Sequence, residues 1–539
     1  MRNKPYPLHQ VESVPDLREL VIRGARLFGD KTAYTYVRDG ERVDVTFRQF
    51  DHDVRALGTA LLQQRRPGEK VAVIGENSYE WILVCMATMN AGLVIVPIDK
   101  ESTADDALTL IRRSGASSVA YADRLGEQLS PILQTTTGIA FGTDVPALVA
   151  QGEAALAAGD HAFADVVIDP RALAAMFFTS GTTGVPKGVM LSHENFAADV
   201  CAAWRYIDME GPTMLVLPLH HTFALNTSIL CSLHRGFACI INSGLPRLSA
   251  EIVEFSPDSM YVVPLFIETF HRQIWTKIRR QGKETMVKRM IKVVEGLGRL
   301  GIDIRRKVFR EILDGMGGRL SLMITGGAPV DFDILRDLRA FGITMINGYG
   351  ITECAPIVAE NRNFYFRDGS AGLPLECNQV MIAHPDADGV GEIRVKGTNV
   401  MLGYYEDDEA TAAVMEDGWF STGDLGRLDA DGFLYITGRL KNLIITANGE
   451  NVSAEELEQL VGKLPLVEEV IVSDRNGTIT ADVFPDATAA EGMSPDQVLA
   501  ALKDGVKQLN QTLPAFKRIK DVTLREVEFE KTTTRKIKR

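Results

Sequence analysis

Hydrophobic residues follow two alternating patterns from about residue 16 to residue 350 of the chain. Short runs of apolar and β-branched residues alternate with stretches, such as 79–91, that resemble helices in their spacing. Strands with nearly continuous apolar residues are buried on both faces, so this alternation predicts α/β sheets covered by helices. The predicted strands lie at 70–75, 93–98, 173–178, 214–219, 237–241, 260–263 and 320–325.

The pattern changes after about residue 370, where short strands and close turns predict a β-rich subdomain over about 370–438. The last segment, 439–539, combines predicted strands with a helix near residue 454, as is typical of a small α+β domain. We therefore predict an α/β fold with a large N-terminal domain, 1–438, joined to a small α+β C-terminal domain, 439–539. The N-terminal domain is predicted to contain a helical insert at about 271–318.

Composition excludes several classes of protein. With 539 residues, 45% of them hydrophobic, the chain can bury a large core, which excludes a disordered or collagen-like protein. A formal net charge of −13 argues against a nucleic-acid-binding protein that relies on bulk charge. The six cysteines form no C-x-x-C pair, so no zinc site is predicted. No signal segment and no spanning apolar run are seen, which predicts a cytoplasmic protein and leaves contact with a membrane surface open.

The segment 179–188 reads TSGTTGVPKG and directly follows a predicted buried strand. Glycines allow the backbone to approach a ligand closely, and exposed amides and hydroxyls donate hydrogen bonds to phosphate oxygens. Lys187 adds a positive charge. The spacing differs from that of a Walker A motif, because Gly188 stands where Ser or Thr is required. We predict a phosphate-binding loop between this strand and a following helix.

Further motifs follow in a fixed order. They are GGAPV at 326–330, GYGITE at 348–353, STGD at 421–424, GR at 438–439, GENVSAEELE at 449–458 and KTTTRKIKR at 531–539. With the phosphate loop, they make the chain resemble the adenylate-forming superfamily, which includes acyl-CoA synthetases, standalone adenylation enzymes and luciferases. The resemblance spans nearly the whole chain. It implies that ATP and Mg²⁺ activate a carboxylic acid as acyl-AMP and that a thiol, such as that of CoA, then displaces AMP.

The resemblance also implies roles for single residues. The β- and γ-phosphates would be held by Thr179, Ser180, Gly181, Thr182, Thr183, Gly184 and Lys187, with Mg²⁺ near Thr182 and Glu353. The rest of the nucleotide would be bound by Gly327, Ala328, Pro329, Tyr349, Gly350, Thr352, Asp424, Ile436 and Arg439. Among these, Tyr349 would stack on adenine, Thr352 would reach the α-phosphate, Asp424 would take the ribose hydroxyls and Arg439 would support the ribose. The loop at Gly449 would be brought to the thiol of CoA. Lys536 would bridge the carboxylate and the α-phosphate, and Lys441 would be the hinge.

Two further segments have alternative interpretations. The pair of histidines in PLHHTF, 218–223, lacks a carboxylate or cysteine at the spacing of a metal site. The resemblance places His221 near the substrate carboxylate, and the alternative is a structural histidine. The segment GLGRLG, 296–301, matches a dinucleotide fingerprint, but the residues before it are basic and helix-like, so no such site is predicted.

The C-terminal motif departs from the family pattern at two positions. Arg535 stands where the family usually has glycine, and Glu530 stands where proline is common. Lys536 fits the position of the family's lysine best, and Lys531 and Lys538 are the other candidates.

The insert at 271–318 resembles that of long-chain acyl-CoA synthetases. We therefore expect a medium- to long-chain fatty acid as the substrate and CoA as the acceptor. The expected apolar walls of the acyl pocket are Leu219, Leu225, Leu265 and Phe266. The alternatives are an acyl-ACP synthetase or fatty acyl-AMP ligase that uses a carrier protein, an aryl-CoA ligase, and a non-catalytic nucleotide or lipid sensor.

Charge is concentrated in this insert. Between residues 271 and 310 there are thirteen lysines and arginines and three acidic residues. Such a patch suits an anionic lipid surface, the phosphates of CoA or an acidic carrier protein, and the alternative is a solvated helix face. Apolar residues at helical spacing would either contact lipid or pack on the core: Ile274, Ile278, Val287, Ile291 and Val294.

Overall fold

The structure is a computed structural model that describes residues 3–179, 186–446, 450–475, 477–531 and 537. The chain forms two compact units. The first unit contains residues up to 327 together with 332–379 and 395–420, and the second contains 328–331, 380–394 and the residues from 421 onward. The domain boundary at 438/439 stays a prediction.

The helices of the described residues are α1 (Leu17–Phe28), α2 (Phe47–Leu62), α3 (Tyr79–Asn90), α4 (Ala104–Ser114), α5 (Ser130–Leu133), α6 (Asp144–Ala157), α7 (Ala162–Asp165), α8 (His193–Tyr206), α9 (Thr222–Ala224), α10 (Cys231–Arg235), α11 (Leu248–Phe255), α12 (Pro264–Arg280), α13 (Glu284–Arg299), α14 (Arg305–Val308), α15 (Arg310–Asp314), α16 (Phe332–Ala340), α17 (Asp408–Val414), α18 (Ala454–Val461) and α19 (Pro495–Leu509). A π-helical segment, Leu225–Leu230, joins α9 to α10.

The strands are β1 (Thr32–Arg38), β2 (Glu41–Thr46), β3 (Lys70–Ile74), β4 (Val94–Ile98), β5 (Ser118–Tyr121), β6 (Thr137–Ala140), β7 (Leu173–Thr179), β8 (Lys187–Ser192), β9 (Thr213–Leu215), β10 (Cys239–Ile241), β11 (Ser259–Val262), β12 (Leu322–Thr325), β13 (Thr344–Gly350), β14 (Ile357–Glu360), β15 (Leu373–Pro374), β16 (Asn378–Ala383), β17 (Gly391–Gly397), β18 (Gly403–Tyr404), β19 (Met415–Glu416), β20 (Trp419–Leu428), β21 (Leu434–Arg439), β22 (Leu443–Ile445), β23 (Asn451–Ser453), β24 (Val467–Asp474), β25 (Ile479–Pro485) and β26 (Asp521–Leu524).

Two large sheets form the first unit. One has the order β18-β8-β7-β4-β3-β5-β6, with parallel strands from β7 to β6 and antiparallel β8 and β18 at the other edge. The other has the order β15-β14-β13-β12-β11-β9-β10-β1-β2 and is parallel from β13 to β1. Strands such as β4 are buried along their whole length, as their continuous apolar sequence requires. The predicted fold class is confirmed.

The sequence prediction was wrong about the element that follows the phosphate loop. Strand β8 follows it and pairs antiparallel with β7, so the loop closes a β-hairpin rather than leading into a helix. The helix α8 begins only at His193, where Ser192 and Asn195 form a reciprocal capping box. The apolar residues of β8 favour a buried strand, which separates the loop from the helix.

The second unit has an α+β core. Its three-stranded sheet has the order β24-β25-β26, and α18 and α19 contribute buried apolar residues to the same core. Strand β20 pairs antiparallel with β21, and β22 pairs antiparallel with β23. Helix α18 begins at a Ser453 cap, and α19 begins at a Ser494 cap whose hydroxyl accepts a hydrogen bond from the Gln497 amide.

The insert is helical, as predicted, and consists of most of α12 together with α13, α14 and α15. Gly296 and Gly298 lie inside α13, and no strand directly precedes them. The GLGRLG segment therefore lacks the strand that a dinucleotide site requires. Among the described residues, no helix is both long enough and apolar enough to span a membrane.

Candidate active site

The β7–β8 hairpin places Thr179 beside Lys187, because the two residues are direct partners in the antiparallel ladder. Both therefore flank the segment that the sequence predicts to bind phosphate. Thr179 and Lys187 are each partly exposed at this end of the sheet. The other predicted loop residues lie outside the described residues: Ser180, Gly181, Thr182, Thr183 and Gly184.

Tyr404 connects two predicted site residues. Its ring lies under the Lys187 ammonium, with Nζ 4.8 Å from the ring centroid. Its hydroxyl donates a hydrogen bond of 3.0 Å to Glu353 Oε1. Burial and the Glu353 charge both raise the pKa of the Tyr404 hydroxyl, so the ring stays neutral and keeps its proton for this bond. Strand β18 holds Tyr404 against Val189 of β8.

Sequence analysis did not identify Tyr404, although a signal for it exists. The run MLGYY, 401–405, combines a glycine with two aromatic residues in a segment of short strands. Gly403 has a φ of 141°, a conformation that favours glycine, and a Cβ there would lie 3.0 Å from the Thr411 side chain. The backbone can therefore turn here and bring Tyr404 to the hairpin.

A buried polar network supports the segment around Glu353. The Asp199 carboxylate accepts hydrogen bonds from the Ile357 amide at 3.1 Å, from Asn399 Nδ2 at 3.0 Å and from Asn226 Nδ2. Asn226 also donates to the Ala355 carbonyl at 2.9 Å. Burial raises the pKa of the Asp199 carboxyl, whereas these hydrogen bonds act to lower it. The network fixes the backbone that follows Glu353, and sequence analysis did not find it.

Tyr349 and Gly350 end strand β13, and Thr352 begins a short 3₁₀ turn that also contains Glu353. Tyr349, Gly350 and Gly327 line one cavity, and their common role in nucleotide binding stays a prediction. Gly327 has a φ of 80°, which a glycine adopts without strain. Ala328 and Pro329 follow it in the segment that belongs to the second unit.

Replacement of Tyr349 by alanine is expected to raise the KM for ATP by about tenfold and to lower kcat less, because ring stacking contributes to binding before the reaction. Tyr349→Phe keeps the stacking surface and is expected to stay close to the unchanged enzyme. Steady-state kinetics at saturating acid measure both constants. A fall in kcat with an unchanged KM would show that the ring acts in another way.

The two residues predicted to bind ribose form an ion pair in the second unit. Asp424 and Arg439 are opposite each other on β20 and β21, and Arg439 Nε lies 3.0 Å from Asp424 Oδ1. Asp424 is buried and Arg439 is half exposed. Ile436 lies on the same strand as Arg439 and is partly exposed. The ion pair with Arg439 therefore holds the Asp424 carboxylate in one orientation.

The predicted hinge residue, Lys441, is exposed in the 3₁₀ turn Leu440–Asn442. Two predicted residues of the second unit, Gly449 and Lys536, lie outside the described residues. Lys531, an alternative to Lys536, forms ion pairs with Glu469 and, at 2.9 Å, with Glu528. The hydrogen bond from Glu469 raises the pKa of Lys531. Lys531 therefore has a structural role in the described chain.

His221 is partly buried and directly precedes α9, at its N-cap position. Its ring lies 4.2 Å from the ring of His220, measured between centroids. His220 Nε2 lies 3.6 Å from Asp99 Oδ2, a carboxylate distant in the sequence, and burial lowers the pKa of His220. The described residues contain no cluster of three metal-ligating side chains.

Comparison with known proteins adds the decisive observation. Residues 22–405 match the family model of AMP-binding enzymes, and residues 441–539 match the model of the AMP-binding enzyme C-terminal domain. The chain belongs to the AMP-binding enzyme family. The carboxylate of Glu353 and the ammonium of Lys187 suit a magnesium nucleotide in such an enzyme, because Mg²⁺ usually binds one or two carboxylates together with substrate phosphates.

Two relatives of this AMP-binding enzyme and one solved structure illustrate the similarity. Long-chain-fatty-acid–CoA ligase FadD15 of Mycobacterium bovis is 29% identical, over 95% of this chain and 92% of that protein. Long-chain-fatty-acid–CoA ligase 1 of Cavia porcellus is 28% identical, over 82% of this chain and 70% of that protein. The crystal structure of ATP-bound MatB from Rhodopseudomonas palustris shares the fold, with a TM-score of 0.75 at 23% identity over 97% of each chain.

Proposed function

We propose that this enzyme is an AMP-forming acyl-CoA synthetase whose substrate is a medium- to long-chain fatty acid. It joins the fatty acid to AMP with release of pyrophosphate and then transfers the acyl group to CoA with release of AMP. The observation that carries the proposal is an apolar cavity that extends from Tyr349 and Gly327 to Trp204, Cys231 and Tyr261. An acyl chain joined to the nucleotide at Tyr349 would be buried there. The names of the two relatives support the same substrate class.

The chemistry explains why these side chains are needed. A carboxylate that attacks the α-phosphate brings two anions together, so the enzyme must position them and compensate their charge. We assign the β- and γ-phosphates to Thr179, Lys187 and the 180–184 loop. Mg²⁺, held by Glu353 and Thr182, would neutralise phosphate charge when bound. Lys536 and Thr352 would contact the α-phosphate, and His221 would lie near the acid.

The walls of the cavity differ from the expected ones. The apolar side chains that line it include Trp204, Ile207, Phe223, Tyr261 and Ile324, whereas Leu219, Leu225, Leu265 and Phe266 do not line it. Leu265 is 45% exposed at the start of α12. Within the PLHHTF motif, Phe223 rather than Leu219 lines the cavity, and other lining residues come from strands β11, β12, β13 and β14 and from helix α8.

The test of the proposal compares acceptors and acids. The purified enzyme is incubated with ATP, Mg²⁺ and a fatty acid from a graded series, with either CoA or an acyl carrier protein as the acceptor. We expect acyl-CoA to form and the carrier protein to remain unloaded. Loading of the carrier protein in preference to CoA would instead support an acyl-ACP synthetase. Preference for aryl acids throughout would support an aryl-CoA ligase.

We also propose that the residues from 439 onward form a mobile C-terminal domain with Lys441 as its hinge. Hinge rotation can assemble two active configurations from the same pair of domains. Lys441→Pro fixes the backbone φ near −65° and is expected to spare adenylate formation while lowering thioester formation by about tenfold or more. Lys441→Ala, the matched control, is expected to spare both. Separate assays of the two half-reactions measure this difference, and an equal loss of both would refute the role of Lys441 as the hinge.

The insert supports a third proposal, which is peripheral binding to anionic membranes. Arg279, Arg280, Lys288 and Arg289 are exposed on α12 and α13. Three of the five apolar residues named from the sequence, Ile278, Val287 and Val294, are buried and therefore pack on the core. Exposed apolar residues are instead Met286, Val293, Leu300 and Ile302. Each basic residue at an anionic surface contributes on the order of 1 kcal/mol, which salt screens.

Vesicle sedimentation tests this interaction. We expect binding to phosphatidylglycerol-containing vesicles at low salt, release at high salt, and a loss of about tenfold or more when Arg279, Arg280, Lys288 and Arg289 become Glu. The control is Arg112→Glu with Arg113→Glu, two exposed arginines in the last turn of α4. Binding that ignores salt, lipid charge and the four substitutions would rule out the proposal.

A further inference from the structure

Glu360 is the one acidic residue that lines the apolar cavity among the residues that the structure describes. It ends strand β14 and is only 3% exposed. A carboxyl group in such a place destabilises the folded state, because a polar group that is buried without hydrogen bonds loses its hydration. The presence of an acidic side chain at this buried position therefore requires an explanation.

The strand register directs this side chain to the cavity. Glu360 is the direct partner of Gly348 on the antiparallel neighbour β13, and a Cβ built on Gly348 would lie 3.4 Å from the Glu360 Cβ. Ile346 shares the face of Gly348, and its partners across the parallel strands are Ile324 and then Tyr261. Tyr261 and Ile324 line the cavity, and so does Glu360. The missing side chain at Gly348 leaves the space beside the Glu360 Cβ open.

The Glu360 carboxyl group lacks the partners that other buried acids have. Its Oε1 atom has no hydrogen-bond partner among the described residues. Glu251, which is also buried, accepts hydrogen bonds at Oε2 from Asn242 Nδ2 at 2.6 Å and from the Ser243 amide at 3.0 Å, and its Oε1, which accepts none, lies 3.4 Å from Arg247 Nε in an ion pair. Asp199 accepts three. Glu251 and Asp199 therefore have structural roles, whereas the Oε1 atom of Glu360 remains available to a ligand.

The protonation state of Glu360 defines what it can bind. Burial, and to a smaller extent the charge of Asp199, raise the pKa of the Glu360 carboxyl well above its usual range. Burial therefore favours the neutral form of the carboxyl group, which offers both an O–H donor and an acceptor oxygen. A plain hydrocarbon chain in the cavity would leave the donor and the acceptor of Glu360 without hydrogen-bond partners, which would weaken the binding of that substrate.

We infer that Glu360 is a specificity residue that hydrogen-bonds a hydroxyl or carbonyl group on the acyl part of the acid substrate. This inference rests on the proposed function, because it places the acyl part in the cavity. A second carboxylate on the substrate would fit poorly, since it would bring a charge into an apolar site. The preferred substrate is therefore a fatty acid that carries a hydroxyl or oxo group on its chain, favoured over the plain fatty acid and over a dicarboxylic acid.

The test compares fatty acids that carry a hydroxyl group at different positions along the chain. Acid-dependent exchange of pyrophosphate into ATP is measured for fatty acids of one length whose hydroxyl is shifted one carbon at a time, each against the unsubstituted acid. We expect one or two positions at which the hydroxy acid has a kcat/KM about 10- to 100-fold above that of the plain acid. A profile with no such maximum would overturn the inference.

Variants at position 360 assign the preference to this side chain. Glu360→Leu is expected to abolish the maximum and to favour the plain acid, whereas Glu360→Gln keeps a donor and an acceptor and is expected to retain most of it. Glu360→Met serves as a second apolar variant if the leucine protein folds poorly. Ile324→Val, the control in the same cavity, is expected to change both acids alike. A maximum that persists in the leucine or methionine variant would overturn the inference.

The outcomes separate this inference from the function on which it rests. If no acid of either kind supports pyrophosphate exchange, the proposed function fails. If plain fatty acids support exchange and the hydroxyl position has no effect, only the role of Glu360 fails. Thermal unfolding adds a readout that does not depend on activity: Glu360→Leu is expected to unfold at the same or a higher temperature than the unchanged protein, because it removes an unpaired buried polar group. A clearly lower temperature would indicate a structural role.

Discussion

Replacement of Lys536 by alanine is expected to lower the rate of adenylate formation by about 100-fold or more. A lysine that bridges the carboxylate and the α-phosphate compensates charge at the point where two anions meet. Its contribution ends once acyl-AMP has formed, so thioester formation from supplied acyl-AMP is expected to stay within a few-fold of the unchanged enzyme. Stopped assays of the two half-reactions, the first by pyrophosphate release and the second by acyl-CoA formation, measure this difference.

The neighbouring lysines provide the controls. Lys531 is held by Glu469 and Glu528, so Lys531→Ala is expected to reduce the stability of the second unit while leaving adenylate formation within a few-fold. Lys538→Ala is expected to have little effect on either half-reaction. Because Arg535 replaces the usual glycine, Arg535→Gly tests whether this departure slows the first step. Equal loss of both half-reactions in Lys536→Ala would contradict the assignment, as would a larger first-step loss in Lys531→Ala.

Glu353→Gln is the second change with a large expected effect. The substitution keeps the size of the side chain and removes the charge that would hold Mg²⁺ beside the phosphates. We expect adenylate formation to fall by about 100-fold or more and the Mg²⁺ concentration for half-maximal rate to rise. Magnesium titration of pyrophosphate exchange measures both. An unchanged dependence on Mg²⁺ would show that Glu353 does not hold the metal.

Tyr404 supplies the matched control for Glu353. Tyr404→Phe removes the hydroxyl that donates to Glu353 and keeps the ring beneath Lys187. Loss of one hydrogen bond to a charged group corresponds to about 10- to 100-fold, so the rate is expected to fall less than in Glu353→Gln. Tyr404→Leu also removes the ring and is expected to be slower than the phenylalanine variant. An effect of Tyr404→Phe equal to that of Glu353→Gln would mean that the hydroxyl itself is essential.

Much of the architecture could be predicted from the sequence, for a physical reason. Strands such as β4 and β7 are buried on both faces, and their unbroken apolar runs are visible without a structure. Motifs near strand ends were equally visible, because binding loops need glycine, hydroxyl and charged residues in a short segment. Asp424 and Arg439 were identified separately from their motifs, and the structure shows that the two side chains form an ion pair, which the motifs did not indicate.

Contacts between distant segments could not be predicted from local pattern. Tyr404 contacts Lys187, which is more than 200 residues away in the sequence, and Glu353, which is about 50 residues away. Only the pairing of β18 with β8 brings these side chains together. The Asp199 network likewise joins α8, the π-helical segment and the turn after Glu353. The prediction of the residues that line the cavity was wrong for the same reason, because the register of parallel strands decides which side chains share a face.

The hairpin after the phosphate loop shows a different failure. Gly188 and the apolar residues after it fit either a strand or the start of a helix, so a short segment of this composition is ambiguous. Pairing with β7 resolves the ambiguity, because the ladder satisfies the backbone hydrogen bonds of both strands. The Ser192 capping box then delays the helix until His193.

The measurement that tests the central claim most directly is fatty-acid-dependent exchange of labelled pyrophosphate into ATP in the absence of CoA, followed by product analysis after CoA is added. We predict exchange that requires both the acid and Mg²⁺ and is lost in Glu353→Gln, and then formation of AMP and acyl-CoA in equal amounts. Formation of ADP and phosphate, or nucleotide turnover that does not depend on the acid, would contradict the account.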